Sequence, residues 1–215
     1  MKNCLLCKEK IGGDQYINSE TIKFCVDCQV GFTITHDKRK ISDVSENYDE
    51  DYISQYLKRS SEIEGNFFKG IEKIQQNLTS GEVRVLDVGC GVGYFLKTLG
   101  KTVSTYSLYG IEPNPKLAKQ AQNFVKSAKI INSSIENAAL KENYFDVITF
   151  WDVLEHVYDP IKTLKSTHKL LKKNGIVVIQ APNYRSLMTF MTKENWDWWL
   201  PPDHLYHFSP KSMEL

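Results

Sequence analysis

The sequence predicts an α/β fold, a doubly wound parallel sheet, with a small cysteine-bearing module ahead of it. Three observations carry this expectation. Apolar runs recur at residues 83–88, 106–111, 129–132, 145–150 and 176–180, with helical patterns between them. The first run leads into a glycine-rich turn, Gly89-Cys90-Gly91-Val92-Gly93. Two Cys-x-x-Cys pairs, Cys4/Cys7 and Cys25/Cys28, stand near the start of the chain. The unbroken apolar run among these strands, at 176–180, indicates cover on both faces. The alternation of strands with helices gives right-handed crossovers and hence a parallel sheet.

The cysteine module comes first. Each Cys-x-x-Cys pair can bend into a knuckle that points two thiolates at one ion, and two knuckles supply the closed tetrahedral set of structural zinc. Gly12-Gly13 and Asn18-Ser19 mark turns around short strand-like runs at 15–17 and 21–24. The spacing predicts a zinc ribbon over residues 1–32, held by Cys4, Cys7, Cys25 and Cys28. Four free thiols in a loop are the bland alternative. A redox pair explains less, because so little hydrophobic core needs a metal to supply folding energy. Four sulfur ligands leave no open position for metal catalysis.

The whole chain has 215 residues, 41% hydrophobic and 25% charged, an ordinary globular composition. Its net charge of +1 makes no bulk electrostatic case for nucleic acid or an anionic membrane. No apolar run is long enough to span a bilayer, and the N-terminus lacks a secretory apolar segment. The expected compartment is the cytoplasm, where paired cysteines point to metal rather than disulfides.

Residues 33–60 are polar and acidic around Tyr48-Asp-Glu-Asp-Tyr52 and read as a linker or a short helix carrying aromatics. From residue 61 onward the core pattern begins. Ile63, Phe67, Ile71, Ile74 and Leu78 repeat at helical spacing. A strand at 83–88 precedes a helix over 94–99, and a strand at 106–111 precedes a helix opened by Pro115, with Leu117, Ala121 and Phe124 inward. Asp159-Pro160 announces another helix. Its expected inner face is Ile161, Leu164 and Leu171, and Asn174-Gly175 is expected to stop it. After Pro182 the chain turns aromatic through Trp196, Trp198, Trp199, Tyr206 and Phe208. Ser209-Pro210 then reads as the start of a further helix.

The glycine turn is the chemical centre of the pattern. Glycine lets backbone take φ > 0 and leaves room for a ligand against bare main chain. A helix N-terminus beyond it adds free N–H groups. A dinucleotide fingerprint needs a small residue at the third position, and here that residue is Tyr94. Asp87, two residues before the first glycine, is awkward beside a pyrophosphate but suits an amine or a sulfonium. Glu112, at the tip of the 106–111 run, can accept hydrogen bonds from both ribose hydroxyls.

Asp87-x-Gly89-x-Gly91-x-Gly93, Gly110-Ile-Glu-Pro-Asn114, Phe145-Asp-Val-Ile148 and Asp152-Val-Leu-Glu-His156 together resemble class I S-adenosylmethionine (SAM)-dependent methyltransferases. The resemblance covers roughly residues 63–215, and it implies that the tyrosine-bearing segment 33–60 helps cover the cofactor, with a solvated linker as the alternative. It implies a Rossmann-like core over 61–215, with SAM held by Asp87, Gly89, Cys90, Gly91 and Gly93 on the methionine side and by Glu112 at the ribose. Ser134 and Ile135 would flank the adenine, in place of the acidic residue common there. Trp151 and Asp152 would face the methionine end, with an N-cap role as the alternative for Asp152. Family members continue past this point with two more strands in an antiparallel hairpin. The expectation is therefore a sheet lacking that hairpin, with an exposed edge open to self-association.

Methyl transfer needs a base only for some acceptors. His156, His204 and His207 are the candidates, each against a structural alternative. His204 and His207 sit in Pro201-Pro-Asp-His-Leu-Tyr-His-Phe208, either a lid over the acceptor or a loop whose tryptophans pack on the sheet. The favoured function is methyl transfer to a small molecule such as a sugar or other metabolite. An RNA methyltransferase gripping RNA through the ribbon, and an inactive SAM-binding fragment, are the alternatives.

Overall fold

A computed structural model describes residues 3–4, 6–18, 20–34, 60–78 and 81–214. The expected covering segment with Tyr48 and Tyr52 lies outside the described residues, as does the side chain of Ile63. The chain divides into two compact units, as far as they are described. One combines Met1–Lys40, Asp152–Ile161 and Gln180–Leu215, and the other Ile41–Trp151 and Lys162–Ile179.

In the first unit, β1 (Ile11–Ile17) and β2 (Glu20–Cys25) form an antiparallel hairpin. β3 (Gly31–Ile34) adds antiparallel to β2, and the two-residue β9 (Tyr206–His207) adds to β3. The order β1-β2-β3-β9 makes the ribbon larger than the sequence predicts. The aromatic stretch covers this sheet. Trp196 and Trp199 are buried with Ile17 and Ile22, against Phe24 and Tyr184. The tryptophans of that loop thus pack on this antiparallel sheet. Helix α5 (Leu187–Thr192), capped by Ser186, follows the second crossing into the unit. The helix expected after Ser209-Pro210 is one 3-10 turn, Lys211–Met213. Ser209 and Ser212 close it reciprocally, each side chain accepting the other's backbone N–H.

In the second unit, α1 (Ser60–Asn77) presents Phe67, Ile71 and Ile74 to the core. Then come β4 (Arg84–Val88), α2 (Tyr94–Thr102), β5 (Ser107–Ile111), α3 (Pro115–Phe124), β6 (Ala128–Ile131), β7 (Phe145–Trp151), α4 (Pro160–Leu170) and β8 (Leu171–Gln180). The sheet order is β6-β5-β4-β7-β8, with β4 parallel to both β5 and β7, and β5 parallel to β6. This is the expected Rossmann-like α/β sheet. The chain leaves β4 in one direction and returns on its other side at β7. The carboxyl ends of β4 and β7 therefore flank the switch point where such sheets bind ligands. Among the described residues β8 is an edge strand, with Val177 38% exposed.

Two helix faces differ from expectation. α4 buries Thr163, Thr167 and Leu170, while Ile161 is 40% exposed and Leu171 already belongs to β8. The threonines can be buried because their hydroxyls are satisfied. Thr163 donates to Glu136 at 2.5 Å and Thr167 to the Thr163 carbonyl at 2.9 Å. Asn174, expected to end the helix, sits at φ 63 inside β8. α3 turns Leu117, Ala118 and Ala121 inward. Phe124 instead stacks on Tyr94 with Lys97 Nζ 3.4 Å above its ring.

Candidate functional site

The glycine turn joins β4 to α2. Gly89, Gly91 and Gly93 all have positive φ, 67°, 53° and 84°. The reasons for glycine differ along the turn. A Cβ on Gly93 would stand 2.8 Å from Val125 Cγ2, so this glycine serves close packing against α3. A Cβ on Gly91 would meet nothing within 4 Å. Gly91 thus exposes bare main chain to open space, the cradle a ligand needs.

Register brings the acidic residues to this turn. Asp87 pairs with Gly110 on β5 and with Thr149 on β7. Cys90 N–H donates to the Ile111 carbonyl at 3.0 Å, setting the turn over the end of β5. Glu112, the next residue, accepts from Gly91 N–H at 2.9 Å and from Asn114 N–H at 2.8 Å. Asn114 also caps α3, accepting from the N–H groups of Lys116 and Leu117, with Pro115 in the first helical position. Burial pushes the Glu112 carboxyl above its ordinary range, offset in part by the two backbone donors.

Asp87 is 2% exposed and accepts from Thr149 Oγ1 at 2.7 Å. Desolvation, with the Glu112 charge adding to it, pushes its carboxyl up to about 8 against the Thr149 bond. A carboxyl raised in the folded state holds its proton there while the unfolded chain has released it. Its stabilising contribution is complete below about pH 4 and is lost as the pH rises through about 8. Asp87→Asn is therefore expected to flatten the decline in stability between pH 5 and pH 8. Thermal melts of both proteins across that range check this, and parallel pH profiles would contradict it.

Of the other expected cofactor residues, Ser134 and Ile135 follow β6. The Ser134 carbonyl accepts from the N–H groups of Asn137 and Ala138, and Ile135 is buried. Asn132 donates to the Glu112 carbonyl at 2.8 Å, tying this segment to the end of β5. Trp151 ends β7, but its ring packs on Phe67 and Phe95, each at 4.9 Å between centroids. Its indole N–H is buried without a partner among the described residues. Asp152 belongs to the first unit, at φ 52, where Gln180 Nε2 donates to its carboxylate at 3.0 Å.

The first unit gathers the cysteines. Cys4 Sγ lies 3.5 Å from Cys28 Sγ, Cys7 Sγ lies 3.5 Å from Cys25 Sγ, and all four sulfurs are within 4.8 Å of one another. The knuckles are built alike. Lys8 and Gln29 adopt positive φ, and their N–H groups donate back to the carbonyls of Cys4 and Cys25.

The three candidate histidines lie in the same unit. His207 is buried in β9, its Nε2 3.0 Å from Thr33 Oγ1. Thr33 donates its own proton to the His204 carbonyl at 2.6 Å, so His207 Nε2 carries the hydrogen. Burial pulls this ring down to about 3. His156 and His204 meet edge to face at 4.7 Å between centroids. Burial lowers both, His204 to about 3 with its histidine neighbours contributing. Glu155 and Thr149 were not singled out in the sequence. Thr149 becomes visible only through the β4–β7 register. Glu155 lies within the segment that carries the family resemblance, and nothing local marks it as buried.

The chain matches the methyltransferase-domain family over residues 47–215. It belongs to that family, the class I SAM-dependent methyltransferases. It is 34% identical over 104 residues to a ubiquinone biosynthesis O-methyltransferase of Nitrosospira multiformis, covering 46% of this chain and 43% of the relative. It is 35% identical over 102 residues to a tRNA U34 carboxymethyltransferase of Sulfurimonas denitrificans, covering 46% and 34%. The chain spans about half the length, or less, of these curated relatives. Its fold is shared by the plantazolicin methyltransferase BpumL, solved with SAH and a pentazolic desmethylPZN analog. That match has a TM-score of 0.59 at 21% identity and covers 72% of this chain and 67% of the other.

Proposed function

We propose that this protein transfers the methyl group of SAM to a small-molecule acceptor such as a sugar or other metabolite. The observation that carries the reading is the Glu112 carboxylate held at the tip of β5 by Gly91 N–H, beside a left-handed glycine turn open at Gly91. In this reading Glu112 takes the ribose hydroxyls. Asp87, Gly89, Cys90, Gly91 and Gly93 border the methionine side, and Ser134 and Ile135 border the adenine. Trp151 stands at the methionine end through its backbone, because its ring is packed on Phe67 and Phe95. SAM supplies a methyl group already activated on a cationic sulfur, so the protein's part is to orient it and keep water out. A cation beside Asp87 would favour its charged form and offset the cost of burying it.

The ribbon cysteines fit a structural zinc ion. Tetrahedral zinc with bonds of about 2.3 Å places its sulfurs about 3.8 Å apart, close to the 3.5 Å pairs. Thiolate ligands belong to a reducing compartment, and we place the protein in the cytoplasm on that ground. Among the described residues no helix is long and apolar enough to cross a membrane. Of the candidate bases, His207 is a structural residue in this reading, because Thr33 and β3 hold it.

The name of the Nitrosospira relative supports a small-molecule acceptor. The name of the Sulfurimonas relative favours the second reading, an RNA substrate. The balance of +1 favours the first. Incubation with methyl-labelled SAM and either a metabolite extract or total RNA distinguishes them. Label in a small molecule is the expected result. Label only in RNA would overturn the acceptor class.

A further inference from the structure

The first unit carries a second set of metal-binding side chains, separate from the four cysteines. Glu155, His156 and His204 bring one carboxylate and two imidazoles together, with a ligand atom of each within 4.8 Å of the others. Glu155 is 1% exposed, and neither of its carboxylate oxygens has a hydrogen-bond partner among the described residues. A buried carboxyl with no hydrogen-bond partner is costly, and a bound cation is one way to satisfy it.

One of the two histidines is prepared for that role. His156 Nδ1 lies 2.9 Å from the Asp203 carbonyl, to which it must donate because a carbonyl only accepts. Its Nε2 is left with a lone pair. His204 meets the His156 ring edge to face, with 4.7 Å between ring centroids. An imidazole that donates one N–H to a carbonyl and offers its other nitrogen is the usual form of a histidine metal ligand. The scaffold is rigid. The Glu155 carbonyl accepts from the N–H groups of Leu205 and Tyr206 at 2.7 and 3.1 Å, locking the Glu155-His156 turn to the segment that carries His204. Tyr206 Oη donates to the Tyr158 carbonyl at 3.0 Å, and His204 N–H donates to the Leu200 carbonyl at 2.8 Å.

We propose that Glu155, His156 and His204 bind a divalent transition-metal ion, with zinc the first candidate. Two imidazoles and one carboxylate form a recognised zinc set, and they leave a coordination position open, unlike the closed four-sulfur site. Glu155 contributes the carboxyl oxygen of the set.

The test uses the full chain, equilibrated with Zn2+ and separately with Co2+, then freed of loose metal. The wild type is expected to retain two zinc ions, and the cobalt form to combine thiolate-to-metal absorption with a second, sulfur-free set of visible bands. Glu155→Gln and His204→Ala are each expected to retain one ion, losing the sulfur-free bands while keeping the thiolate absorption. That retained absorption shows the ribbon still folded. A wild-type chain holding a single ion, or a Glu155→Gln chain still holding two, would overturn the proposal whatever the variants do to folding.

Discussion

Glu112→Ala is expected to weaken SAM binding by more than a hundredfold. In the proposed site this carboxylate makes two charge-assisted hydrogen bonds to the ribose. Each is worth roughly 1.5–3 kcal/mol, and about 3 kcal/mol in total already exceeds two decades of affinity. The structure adds a second cost. Glu112 accepts from Gly91 and Asn114 N–H at 2.9 and 2.8 Å, so its removal also leaves the turn less firmly held. Glu112→Gln keeps a carbonyl oxygen and should fall between the two. Calorimetry gives the affinities, and thermal melts separate loss of binding from loss of fold. An unchanged dissociation constant in a folded Glu112→Ala protein would remove Glu112 from the site.

Cys25→Ser is expected to abolish the thiolate-bound ion and unfold the antiparallel sheet. Structural zinc sites supply folding free energy outright, about 10–16 kcal/mol in small zinc-finger peptides. The hairpin of β1 and β2 has only a small core of its own around Ile17 and Ile22. Hydrogen exchange should therefore accelerate at Ile22 and Phe24 in the variant. Amides of β4 and β7 should stay protected, because Val85, Leu86, Val147 and Ile148 are fully buried in a separate core. Undiminished thiolate-to-cobalt absorption in Cys25→Ser would rule the four-cysteine site out. Loss of protection in both units would show that the Rossmann-like core depends on the metal.

The most legible features were those set by local chemistry. The alternating glycines demanded a left-handed turn, and all three adopt it. A carboxylate placed immediately after an apolar run had to stand at a strand tip, where Glu112 is. The cysteine pairs could be read from spacing because a knuckle is a local structure. What stayed hidden depended on distant register or on polar burial. Thr149 meets Asp87 only because β7 lies beside β4 in one particular alignment. β9 is two residues long and joins a strand far back in the sequence, so no hydrophobic alternation announces it. The buried face of α4 contradicted hydropathy, since Thr163 and Thr167 satisfy their hydroxyls inside the protein and Ile161 faces out. Glu155 was hidden for the same reason, as nothing local distinguishes a buried carboxylate from a solvated one.

We propose that the glycine turn and Glu112 form a pocket for SAM rather than for a dinucleotide. Tyr94 stands where close helix–strand packing would require a small residue, and it opens α2 directly. Titrating SAM and NAD separately into the full chain by calorimetry tests this most directly. Saturable heat is expected with SAM, with a dissociation constant on the order of micromolar as for many cofactor and substrate pockets, and none with NAD. Saturable heat with NAD and none with SAM would contradict it.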